Sequence, residues 1–81
     1  MTNQEYETFV TSRQRLLDSL GISRDALTDW IELHRTLDVS LMDLATLEGL
    51  LGERKRGLEQ LLELDERFML HLLERRKQAG G

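Results

Sequence analysis

The chain has no cysteine and no proline, only four aromatic residues, and no apolar run long enough to cross a membrane. Each absence excludes something. Without thiols there are no disulfides and no thiolate zinc site, so two common supports of very small domains are missing. His34 and His71 are the only imidazoles, too few for a metal site without a carboxylate cluster beside them. No stretch approaches the 18 apolar residues of a transmembrane helix, and the opening "MTNQEYETFV" reads as neither a signal peptide nor a basic transit sequence. A cytoplasmic protein is the expectation. No excess of positive charge is present either: the net charge is −4, with acidic and basic residues interspersed, unlike a free-standing basic nucleic-acid binder.

What remains is the composition of long helices. Leucine, glutamate and arginine dominate 81 residues, one domain near the lower limit for a self-sufficient core. Thr2-Asn3-Gln4-Glu5 fits a capping box. Tyr6, Phe9, Val10, Leu16, Leu17 and Leu20 then share one helical face. Gly21 followed by Ile22 fits a Schellman stop, so the first helix is expected over about residues 3–20. Ser23 suits the cap of a second helix over about 24–37, whose apolar face carries Leu27, Trp30, Ile31, His34 and Leu37.

A third segment is expected over about 41–77. Asp38-Val39-Ser40 are poor helix formers, and Ser40 could cap a fresh start, yet none of the three is a true breaker. Trp30, Leu37, Leu44, Leu51, Leu58, Asp65 and Leu72 recur every seven residues, which argues equally for one continuous helix from 24 to 77. The fold class is therefore all-α, a helical hairpin or three-helix bundle. Gly49, Gly52 and Gly57 lie off that seam and fit a hinge or a close-contact surface.

A stripe this long wants a partner, because monomers rarely leave one facing water. The expected partner is a second copy in an antiparallel coiled-coil dimer. Its seam would run through Leu44, Leu47, Leu51, Arg54, Leu58, Leu61, Asp65, Phe68 and Leu72. Antiparallel pairing sets Arg54 against Asp65, whereas parallel pairing sets each against its own copy. Met42, Leu50, Leu62, Met69 and Leu73 are left for another protein.

Two resemblances extend this reading. Residues 13–32 resemble a helix-turn-helix motif, with Leu20-Gly21-Ile22 as its turn and Leu27 and Ile31 locking the helices. That resemblance implies DNA contact through Ser23, Arg24, Thr28 and Arg35. Asp25, Asp29 and Glu32 stand on the same face and oppose the phosphate neutralisation that dominates affinity. Residues 42–76, above all "LLELDERFMLHLLERR", resemble the leucine-rich helices of small bacterial flagellar export chaperones of the FliT and FlgN kind, which implies binding of other proteins. No nucleophile–base pair, phosphate loop or carboxylate cleft can be assembled from these residues. The chain reads as non-enzymatic, without a catalytic residue, metal or cofactor. The favoured function is a protein-binding adaptor, chaperone or regulator; a dimeric DNA-binding regulator is the alternative.

Overall fold

The computed structural model describes residues 3–80, with the side chain of Asn3 left aside. The capping hydroxyl of Thr2 lies outside them. Two long helices, α1 (Asn3–His34) and α2 (Leu44–Gly80), form an antiparallel hairpin joined by a short 3-10 turn at Val39–Leu41. The molecule is a rod of 63 × 19 × 15 Å.

The expected stop at Gly21 is not taken: α1 runs through it, and no described glycine adopts a positive φ. A mid-helix glycine costs only about 1 kcal/mol. Against that cost stands a seam of side chains packed on α2, in which Phe9, Arg13, Leu16, Leu20, Ser23, Leu27, Trp30 and His34 are buried or half-buried. Their spacing alternates four and three residues, the repeat of a coiled-coil face, and it crosses Gly21 unbroken. Ser23 does not cap a new helix. It is buried, and its hydroxyl donates to the Leu20 carbonyl at 3.0 Å.

The break comes instead between His34 and Leu44, so residues 24–77 are not one helix. Asp38 is extended (φ −65°, ψ 144°), and its carboxylate accepts from both the backbone N–H and the hydroxyl of Ser40. Met42 is extended as well. Asp43, not Ser40, caps α2: its carboxylate accepts from the Thr46 N–H at 3.2 Å and from the Thr46 hydroxyl. These bonds hold the Asp43 carboxyl below its ordinary value, the Thr46 hydroxyl contributing most. Trp30 ties the corner to α1, its indole N–H donating to the Asp43 carbonyl at 3.1 Å. The ring stacks on His34 at 4.0 Å between centroids. His34 Nδ1 in turn lies 2.8 Å from the Trp30 carbonyl, which fixes that nitrogen as the protonated one.

Along α2 the half-buried seam is Leu47, Leu50, Arg54, Gly57, Leu61, Leu64, Phe68 and His71, again at alternating threes and fours. At mid-hairpin Leu20, the most buried apolar side chain among the described residues, lies directly over Gly57. Phe9 and Phe68 stack at the open end, with centroids 3.8 Å apart and rings nearly parallel, and Tyr6 leans on Phe68 at 6.5 Å. His71 is half-buried, with its Nε2 3.4 Å from the Glu5 carboxylate. That distance suits an ion pair, but the atoms are not aligned as a hydrogen bond.

Candidate protein-binding surface

The hairpin has two unlike broad sides. One carries the ion pair Arg13–Asp65, with Nε to Oδ1 at 3.0 Å and a second contact at 3.4 Å. The other carries two clefts lined by Ser12, Arg15, Leu16, Ser19, Glu53, Arg56, Gln60, Glu63 and Arg67, among others. Heptad spacing extends these assignments along each helix. Leu44, Leu51, Leu58 and Leu72 are in step with Asp65, and Val10, Leu17 and Ile31 flank the Arg13 edge of α1. All seven are exposed. The Arg13–Asp65 side is thus a mainly apolar strip two helices wide, interrupted by Arg13, Arg24 and Asp65, and the opposite side is mainly polar but carries exposed Ile22, Leu33 and Leu70.

The sequence-derived seam divides accordingly. Leu47, Arg54, Leu61 and Phe68 face α1 and are half-buried within the chain. Leu44, Leu51, Leu58 and Leu72 remain outside, 41–51% exposed. Asp65 is paired within the chain with Arg13, because α1 brings Arg13 to the same level. Among the residues assigned to a partner surface, Leu62, Met69 and Leu73 are exposed, whereas Met42 and Leu50 are half-buried between turn and helices. Sequence reasoning missed the α1 half of the strip, Val10, Leu17 and Ile31, because it allotted Val10 and Leu17 to the core of a short first helix.

The residues singled out for DNA contact do not form a separate element. Ser23 is buried at the seam, and Arg24 pairs with its neighbour Asp25 at 3.3 Å. The Thr28 hydroxyl donates to the Arg24 carbonyl, and Arg35 lies 3.7 Å from Glu32. Among the described residues no group of three or more His, Cys, Asp or Glu side chains is placed to hold a metal ion. No described helix is long and apolar enough to cross a membrane.

No family model, curated protein or solved structure matches the chain.

Proposed function

We propose that this protein is a non-enzymatic, cytoplasmic protein-binding adaptor, chaperone or regulator, which works by laying amphipathic helices against another protein. The surface area carries the reading. A folded monomer of this mass exposes about 5,000 Å², whereas this chain exposes 6674 Å², and among the described residues Leu20 is the one apolar side chain that is buried. Leu62, Met69 and Leu73 follow one another along the outer edge of α2, spaced as anchors for a helix-in-groove or bundle-completing contact. The methionine tolerates imperfect fit.

The test places a photo-reactive side chain at Leu62 or Leu73, identifies the protein captured in cells, and rebuilds the complex from purified components. Binding that is insensitive to moderate salt and lost in Leu62→Asp/Leu73→Asp is the expected result. A parallel titration of mixed-sequence DNA supplies the refutation. Tight, salt-sensitive DNA binding abolished by Arg24→Ala would make the protein a nucleic-acid binder instead.

A further inference from the structure

We infer that two copies of this hairpin pack Arg13–Asp65 side to Arg13–Asp65 side, forming an antiparallel four-helix bundle about a two-fold axis near Leu58. The first ground is area. The excess over an ordinary monomer of this mass is about 1,700 Å², and stable interfaces bury about 800 Å² per partner, with obligate dimers burying more. One further face of the rod, closed against a second copy, accounts for about half of it at that size and leaves the remainder for another partner.

The second ground is where the apolar residues lie. A client protein of arbitrary shape needs only a patch. Here the exposed strip runs along both helices, from Val10 to Ile31 on α1 with Arg24 between and from Leu44 to Leu72 on α2, while on the opposite side Ile22, Leu33 and Leu70 are set among Ser12, Ser19, Gln60 and Arg67. A rod whose exposed leucines recur along one side over most of its length fits another rod of the same length, and the same chain supplies one.

Charge fixes the direction. Parallel packing of the two α2 helices sets Asp65 against its own copy. Antiparallel packing about Leu58 separates those two carboxylates by about 21 Å along the axis, at 1.5 Å per residue. It also brings Leu44 onto Leu72 of the other copy, Leu58 onto itself, and Leu51 to the level of the other copy's Arg13–Asp65 pair. Each Asp65 keeps its own Arg13, so no charge enters the interface unpaired at that level. Leu62 borders the strip beside Leu51 and Leu58, whereas Leu73 lies beside Arg67 and Leu70, away from it. The bundle and the client-binding reading draw on neighbouring surface, and Leu73, away from the strip, is the position that separates them.

The experiment is the mass in solution by sedimentation equilibrium, from micromolar to near-millimolar concentration, with cysteine cross-linking in a chain that has no native thiol. Twice the 9.4 kDa of one chain is expected. Leu58→Cys should oxidise to a covalent dimer, and Gln60→Cys on the polar side should not. Leu51→Asp and Leu58→Asp should weaken the dimer about 100-fold or more, the scale for burying an unpaired charge. If the aspartate variants lose their helical circular dichroism, the cysteine pair decides alone, since it leaves the strip nearly intact. A monomer at all concentrations, a larger assembly, or equal cross-linking of both cysteine variants would overturn the inference. A dimer that captures no client leaves the bundle standing and removes the adaptor function; a monomer that captures one does the reverse.

Discussion

Gly57 is the position where the packing of the hairpin can be weighed most directly. Alanine in place of a mid-helix glycine stabilises by about 1 kcal/mol through backbone entropy alone. At Gly49 and Gly52 a Cβ meets nothing within 4 Å, so Gly49→Ala and Gly52→Ala should each realise that gain. Each should raise the thermal midpoint by about 4–8 °C, the shift expected per kcal/mol in a chain this small. At Gly57 the same Cβ would sit 2.7 Å from Leu20 Cδ2 and 3.4 Å from Leu20 Cγ. Either Leu20 turns or the helices part, and overpacking of this kind costs about 1–3 kcal/mol. The cleft beside Leu20, lined by Ser19, Glu53 and Gln60, gives that side chain room to turn and favours the lower end. Gly57→Ala should therefore be neutral to destabilising by about 2 kcal/mol, in clear contrast to the other two. Thermal and urea melts followed by far-UV circular dichroism measure all three. Combining Gly57→Ala with Leu20→Ala removes the obstructing methyls and should uncover the favourable glycine-to-alanine term as a coupling energy. If Gly57→Ala stabilises as much as Gly52→Ala, Leu20 does not pack on Gly57 and the register of the hairpin is wrong.

The remaining predictions concern the ion pair and the cap. Arg13 and Asp65 are 40% and 38% exposed, so water screens them and either alanine variant should cost about 0.5–1 kcal/mol. Exchanging the two, Arg13→Asp with Asp65→Arg, should restore most of the loss, whereas Arg54→Asp should not rescue Asp65→Arg; chemical denaturation of the set decides between the partners. Asp43→Ala should lower the thermal midpoint by removing the cap of α2, and Asp43→Asn should retain it. Because the Asp43 carboxyl titrates below its unfolded value, its contribution is fully present above the ordinary carboxylate range and is lost as pH falls through the lowered value. The asparagine variant should lack that part of the acid dependence, as melts across an acid pH series would reveal.

Local signals in the sequence are sound as chemistry and still mislead about where helices end. Gly21, Ile22 and Ser23 have the residues of a stop and a restart, but a helix end is chosen by what the flanking turns bury. Leu16, Leu20, Leu27 and Trp30 all find α2 only if α1 continues. At Asp38–Asp43 the same kinds of residue do end a helix. There the chain must reverse, and the Asp38 and Asp43 carboxylates and the Trp30 indole take up backbone groups that the missing helical turn leaves open. The all-α class and the hairpin were legible because they depend on composition and long periodicity, which no single residue overrides.

The surface strip was harder to read for a reason that also bears on what it does. Extending the α1 seam by sevens from Trp30 gives 37, 44, 51 and 58, and from Leu27 it gives 34, 41 and 48. The α2 seam that packs on α1 is 50, 57, 64, 71 and 47, 54, 61, 68. The two helices are therefore out of step by one residue across the turn, and the unbroken repeat of leucines from 44 to 72 follows the wrong phase for the hairpin core. A stripe that stands half-exposed outside the hairpin core, yet keeps a heptad leucine repeat broken only where Asp65 meets Arg13, has its own packing requirement. Apolar surface scattered by chance would not hold that interval over four turns of seven. The periodicity that obscured the helix boundary is thus the same feature that argues for a second rod lying alongside the first.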